Sequence, residues 1–262
     1  MILVFDFDGV ISNSVHDSFR TAVNTYRAFR QGHRLPVDRA LESAEDTFRF
    51  EQEHPEVFDA FNRLLPLGNH AKDYCVILTA LDRNEAGRIQ DQEDFDAFKQ
   101  SVPADEQNAY YRLFYEIREA LQKKDIEEWA RLLPIFPGVA EALRILKDRC
   151  ILAIATSKDR ISVDVQLEKY GIADCFQPEN ILDKEAGESK RNHLTRLRER
   201  HGVPFHSLHF IDDKVLHLVS VKSLGVQGYL ALWGFNTPRE HTVAKKEGFR
   251  LLRLEDLPRI IQ

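Results

Sequence analysis

Beyond Gly138 the chain alternates helical stretches with short, continuously apolar runs, and this alternation limits the fold more than any other property. VAEALRILKDR leads into CILAIAT (150–156) and ISVDVQLEKYG into a short ILD (181–183). A helical stretch near 190–201 leads into LHFID (208–212), and one from about Lys214 to Leu224 into VQGYLALW (226–233). FRLLRL (249–254) precedes a short terminal helix. Runs that are apolar at nearly every position belong to strands buried on both faces, and strands separated by helices pair in parallel through right-handed crossovers. The opening ILVF (2–5), ending in Asp6, has the same character. The expectation is an α/β fold: a doubly wound parallel sheet with a Rossmann-like core, whose ligands sit beyond the carboxyl ends of the strands.

From Val15 to Leu133 the pattern is helical: SFRTAVNTYRAFR, DRALESAEDTFRF, VFDAFNRLL and EQNAYYRLFYEIREALQKKDIEEWARLL, with Pro36, Pro55, Pro66 and Pro103 between them. YCVILTAL (74–81) has strand composition, but no partner strand stands near it, so it is expected as a buried helix. Residues 1–14 and 134–262 are therefore expected to form an α/β core, interrupted by an all-helical insert over 15–133. Apolar residues make up 43% and charged residues 30%, which excludes collagen-like, low-complexity and wholly disordered chains. With 36 Lys and Arg against 42 Asp and Glu, the net charge of −6 disfavours wrapping of nucleic acid but leaves room for a local basic pocket. The apolar run beginning at Cys75 falls well short of the roughly 20 residues that span a bilayer. MILVFDFDGV has no basic region before its apolar stretch and does not resemble a secretory signal. Cys75, Cys150 and Cys175, odd in number and widely spaced, fit reduced packing thiols in a cytoplasmic protein without structural metal.

Three of the apolar runs end in polar residues: Asp6-Phe7-Asp8, Thr156-Ser157-Lys158 and Asp212-Asp213; Lys190 opens a helix. If those runs are neighbouring strands, four carboxylates, a hydroxyl and an ammonium meet in one small volume. Carboxylates that close repel one another unless a cation intervenes, and Mg2+ takes hard oxygen ligands while leaving room for a phosphate oxygen. Asp6, Asp8, Asp212 and Asp213 are the candidate metal set. Asp6 at the strand tip can also attack phosphorus, and Asp8, beyond the tip, can reach the leaving oxygen as acid and a water as base. Thr156 and the Ser157 N–H can hold transferring phosphoryl oxygens, and Lys190 offsets their charge.

With these motifs in order, the sequence resembles the haloacid dehalogenase superfamily, in its phosphoglycolate phosphatase and β-phosphoglucomutase-like branch. DFDGV, AIATSK, Lys190 in GESK, and FIDD match the four family motifs, and the resemblance extends through KYGI and LWGFNT. It implies a phosphorylated nucleophile at Asp6, a general acid/base at Asp8, a phosphate-binding hydroxyl at Thr156, a direct magnesium ligand at Asp213 with Asp212 beside it, and a cap formed by the insert. The implied activity is Mg2+-dependent hydrolysis of a small phosphorylated metabolite through an aspartyl phosphate; a phosphomutase and a non-catalytic binding protein are the alternatives. Asp8 argues against a true dehalogenase, whose first motif lacks it. The chain departs from the pattern where Lys190 lacks a following proline, where His217 stands in place of a common carboxylate, and at Asn13-Ser14. In the insert, His16, Arg20, Arg49, Arg63, His70 and Arg112 are weaker candidates, expected mainly on solvated faces, and Tyr110, Tyr111, Phe114 and Tyr115 are expected as insert core.

Overall fold

The computed structural model describes residues 1–68, 70–187 and 189–260; Asn69, Glu188 of the GESK segment, Ile261 and Gln262 lie outside the described residues. The chain divides into two compact units, Met1–Asn13 with Pro134–Gln262 and Ser14–Leu133.

In chain order among the described residues, β1 (Ile2–Phe5) is followed by the α-helices of the second unit: α1 (Val15–Phe29), α2 (Ala44–Glu53), α3 (Pro55–Leu64), α4 (Ala71–Asp82), α5 (Gln92–Gln100), α6 (Ala104–Lys124) and α7 (Ile126–Ala130). The first unit resumes with α8 (Val139–Leu146), β2 (Ile151–Ala155), α9 (Arg160–Tyr170), β3 (Ile181–Leu182), α10 (Lys190–His201), β4 (Leu208–Asp212), α11 (Val215–Val221), β5 (Gln227–Ala231), α12 (Pro238–Lys246) and β6 (Arg250–Leu252). Leu254–Arg259, expected as a terminal helix, is a 3-10 segment with Pro258 inside it; proline has no N–H to continue an α-helix.

Among the described residues, six strands form one parallel sheet in the order β3-β2-β1-β4-β5-β6. Phe5 pairs with Ile154 on one side and with Ile211 on the other, so β1 lies at the centre and the strand order reverses beside it. That reversal opens the crevice in which doubly wound sheets bind ligands. Burial on both faces explains why ILVF shows no alternation. Leu3 and Phe5 join Leu143, Leu152 and Ile211 in one apolar layer, while Ile2 and Val4 join Ala153, Phe210 and Leu218 in the other. The helices behind the site have strong ends. Ser189 accepts from the Asn192 N–H to cap α10, and Gly202 closes it at φ +61°, a conformation that disfavours a side chain.

The second unit is all-helical among its described residues, and YCVILTAL lies within α4, its Cys75–Ala80 stretch buried. Helices α1, α4 and α6 pack on one another. Asp17 of α1 is buried, accepting from Trp129 Nε1 at 2.8 Å and from Arg118 Nε and Nη2 at 3.1 and 3.0 Å. A buried carboxylate is tolerable only when its lone pairs are met in this way. Burial pushes the Cys75 thiol up to about 12, so it packs as a neutral group, and all three cysteines are unpaired. Tyr110 and Phe114 are core residues of this unit, but Tyr115 is exposed and Tyr111 half-buried. The expectation of a four-residue aromatic core is corrected here: two of the rings lie at the boundary of the buried face of α6. No described helix is long and apolar enough to cross a membrane.

Candidate active site

The ladder of β1 continues one residue past the strand. The Asp6 N–H donates to Ile211 O at 2.9 Å, which fixes the Asp6 backbone against β4. Its side chain is 10% exposed, and Oδ1 accepts from the Phe7 N–H at 2.8 Å and from Lys190 Nζ at 2.5 Å. The same ammonium donates to Ala155 O at 2.6 Å and lies 3.7 Å from Asp212 Oδ2. Lys190, the first residue of α10, thus links the tips of β1, β2 and β4. Burial alone would lower its pKa, but Asp6 and Asp212 hold it above the ordinary lysine value, and it stays charged.

Asp212 ends β4 and is fully buried. Oδ1 accepts from the Lys214 N–H at 2.9 Å, and His217 Nδ1 lies 3.0 Å from both carboxylate oxygens. Burial works to raise the Asp212 pKa, but His217 and Lys190 outweigh it and hold the group below the usual aspartate value. Asp212 raises His217 in turn to about 9, against the effect of burial. Asp213 is 3% exposed, and its Oδ2 accepts from the Phe235 N–H at 2.8 Å. Burial first, then the charges of Asp212 and Asp6, push Asp213 up to about 7. Asp6 is raised to about 6 by burial, with Lys190 opposing.

Two glycines make room for Asp213. A Cβ at Gly9, where φ is +84°, would lie 2.3 Å from Asp213 Oδ2, and one at Gly234 would lie 2.3 Å from both Asp213 Cβ and Gly9 O. Asp8 projects past Gly9 and is partly exposed, with Lys158 Nζ 3.0 Å from its Oδ1. The Lys158 side chain is 3% exposed and also lies over the Phe7 ring. Thr156 is buried at the tip of β2; its Oγ1 accepts from the Lys158 N–H at 3.1 Å, leaving the hydroxyl proton to donate. Ser157 is exposed beside it.

Of the sequence-derived candidates, Asp6, Lys190 and Asp212 thus meet directly. Asp213 is adjacent in the chain but faces Gly9 and Phe235, and Asp8 pairs with Lys158. Among the described residues, Asp6, Asp212 and His217 form a group whose potential ligand atoms lie within 4.8 Å of one another. Lys158, Gly234 and the Phe235 N–H were not singled out from sequence. A lysine directly after Thr-Ser at a strand tip was a usable signal for the first; nothing local marks the other two.

A family model for haloacid dehalogenase-like hydrolases matches residues 1–225. The chain belongs to the haloacid dehalogenase-like hydrolase family. Among solved structures, a haloacid dehalogenase-like family protein from Streptococcus pneumoniae aligns at TM-score 0.65 and 13% identity, covering 100% of this chain and 98% of that one. A predicted phosphoglycolate phosphatase from Haemophilus somnus aligns at TM-score 0.60 and 19% identity, covering 100% and 97%. A family hydrolase from Deinococcus radiodurans, solved with bound phosphate and sodium, aligns at TM-score 0.58 and 16% identity, covering 98% and 92%. Identities this low establish a shared fold. No curated protein gives a significant match.

The donor set of this haloacid dehalogenase-like hydrolase fits a divalent cation. Three buried carboxylates, Asp6, Asp212 and Asp213, stand close to the Lys190 ammonium and the His217 imidazole, and burial pushes two of them up, Asp213 to about 7 and Asp6 to about 6. In the other unit, several weaker candidates have structural partners. His16 pairs with Glu51 at 3.0 Å and stacks on Phe58, and Arg63 donates to Ile89 O and Ala86 O. Arg49 is exposed. Arg20, expected on a solvated face, is instead buried, and its Nε and Nη2 have no hydrogen-bond partner among the described residues. His70 and Arg112 line a cleft of about 530 Å3 with Lys72, Asn108 and Tyr111.

Proposed function

We propose that this protein is a phosphatase that hydrolyses a small phosphate monoester through a phosphorylated Asp6, dependent on Mg2+ or a related dication. One observation carries the reading: a carboxylate at the tip of the central strand shares a buried lysine with a second carboxylate at the tip of its neighbour, at 2.5 and 3.7 Å. Asp6, Asp212 and Asp213 are the residues that would hold the cation, with Asp8 beside them, and it would supply positive charge against the phosphoryl oxygens.

Oδ1 of Asp6 is tied by two hydrogen bonds, and Oδ2 is the oxygen left to bond to phosphorus. Attack by Asp6 breaks the bond from phosphorus to the ester oxygen, and the departing alkoxide takes a proton from Asp8. Water then loses a proton to Asp8 and attacks the aspartyl phosphate, releasing phosphate and restoring the Asp6 carboxylate. Thr156 Oγ1–H and the Ser157 N–H donate to phosphoryl oxygens in this proposal, and Lys190 stabilises charge on them and on Asp6. Lys158 holds the Asp8 carboxyl near the reacting centre. The helical unit takes the role of a substrate-selecting cap in this proposal.

Phosphate release from a panel of phosphorylated metabolites, phosphoglycolate included, tests the reading. The expected result is turnover of at least one monoester that a chelator abolishes and Mg2+ restores. No release from any member of a broad panel, with the dication present, contradicts it.

A further inference from the structure

The turn that carries Asp8 is held at its far end by a buried polar triangle to which the phosphatase reading gives no task. Phe7 O accepts from the Ile11 and Ser12 N–H groups, each at 2.9 Å, and the Gly9 N–H donates to Ser12 O at 2.8 Å. Ser12 is thus bonded to the residue next to Asp8. Its side chain is fully buried, and Oγ donates to Gln166 Oε1 at 2.9 Å. The Tyr170 hydroxyl lies 3.0 Å from both of these oxygens. Gln166, fully buried as well, donates through Nε2 to Ser162 O at 2.9 Å. Ile11, Val163, Leu167 and the Tyr170 side chain belong to one apolar layer around the triangle. Apolar side chains could fill such a space without desolvating an amide and two hydroxyls, whereas hydrogen bonds there fix one arrangement. Helix α9 therefore holds the turn twice: Lys158, just before the helix, pairs with Asp8, and Gln166 and Tyr170 hold Ser12.

We infer that Tyr170, acting through Ser12, is a positioning residue that sets where the Asp8 carboxyl stands relative to the leaving oxygen. The inference rests on the phosphatase reading above and adds to it the group that aims its acid. Lys158 fixes Asp8 at the carboxylate, and Ser12 fixes the backbone from which that carboxylate projects. Burial foremost, with the Asp8 charge adding to it, holds the Tyr170 phenol above its ordinary pKa, so it keeps its proton to donate. Without the phenol the turn loses its tie to the last residue of α9. A reacting group displaced by about 1 Å costs up to about a hundredfold in rate.

Single-turnover phosphorylation with two substrates provides the test. Acetyl phosphate has a leaving group that needs little acid, and the fastest alkyl monoester of the panel above has one that needs much. Tyr170→Phe is expected to lose about tenfold or more in rate with the alkyl monoester and less than about threefold with acetyl phosphate, a split that a merely structural role would not produce. Ser12→Ala, which removes the other end of the contact, should show the same split. In an Asp8→Asn background, Tyr170→Phe should cost less than about twofold more with the alkyl monoester, because the acid it aims is already gone. Equal losses with both substrates, no loss with either, or a full further loss in the Asp8→Asn background overturns the inference and leaves the phosphatase intact. Where one variant fails to fold the other decides, and failure of both shows a structural tie and overturns the inference. Unaltered protein that turns over no alkyl monoester overturns the phosphatase reading and this inference with it.

Discussion

The buried ammonium of Lys190 is what allows Asp6 and Asp212 to approach each other as carboxylates, while Lys158 does a separate job at Asp8. The side chain of Lys158 is almost fully enclosed, its Nζ 3.0 Å from Asp8 Oδ1. Truncating one member of a buried ion pair leaves the other uncompensated and costs about 3–5 kcal/mol where both are enclosed; Asp8 is partly exposed, which makes the loss here smaller. Lys158→Met is expected to lower kcat by about tenfold or more with little loss of fold, since Asp8 is left without its positioning charge. Lys158→Arg should recover part of that loss. Steady-state kinetics beside a thermal melt would separate the two effects, and an unchanged kcat in Lys158→Met would remove Lys158 from the site. Lys158 was quoted in the sequence motif without a role because its place after Thr-Ser at a strand tip marks it as near the site, but its ion pair to Asp8, far away in the chain, leaves no mark of the partner.

At the scale of elements, the tips of β1, β2 and β4 were legible because strands buried on both faces read as unbroken apolar runs, and their polar ends mark where the sheet stops. β3, with two residues, was legible only as a short apolar step. The seat of Asp213 was not legible. It depends on the turn after β5 passing so close to β4 that a Cβ at position 234 would lie 2.3 Å from Asp213 Cβ, and on the Phe235 N–H donating to Asp213. Gly234→Ala is expected to displace Asp213, destabilising the fold by about 1–3 kcal/mol through overpacking. It should also weaken dication binding by about tenfold or more, as loss of ligand support does at metal sites. Isothermal calorimetry of the variant checks this; unchanged affinity would mean that Asp213 stands outside the centre. In the helical unit, α1, α6 and α7 share the buried Asp17, and Asp17→Ala removes the carboxylate that accepts from Trp129 Nε1 and from Arg118. A loss of about 3–5 kcal/mol is expected in denaturant unfolding, and a loss below about 1 kcal/mol would mean that the helices find other partners.

At the scale of the whole molecule, the site links folding to protons and to the dication. Asp213 and Asp6 are raised from 3.8 to about 7 and about 6, so their contribution to stability is present below 3.8 and lost as pH rises through the folded values. His217, raised from 6.5 to about 9, has the same sign at higher pH, and Asp212, held below 3.8, has the opposite sign at lower pH. With chelator present, stability is therefore expected to fall between about pH 5 and pH 9, because the folded chain binds more protons than the unfolded one over that interval. A saturating dication should flatten the slope and stabilise most at the alkaline end, since its ligands must be deprotonated; at a hundredfold excess over Kd the gain is about 2.7 kcal/mol. Denaturant midpoints across that range, with chelator or with metal, would test this, and parallel curves would contradict it.

The intact mass of the whole chain gives the most direct test of phosphoryl transfer to Asp6. An activated acyl phosphate needs little help from an acid to leave, but hydrolysis of the aspartyl phosphate needs a base. Asp8→Asn, mixed with such a substrate and dication and quenched in acid, is expected to gain the mass of one phosphoryl group. Fragmentation should place it on Asp6, and Asp8→Asn combined with Asp6→Asn should gain nothing. A phosphoryl group on another residue, or turnover by Asp6→Asn within tenfold of the unaltered protein, would contradict the account.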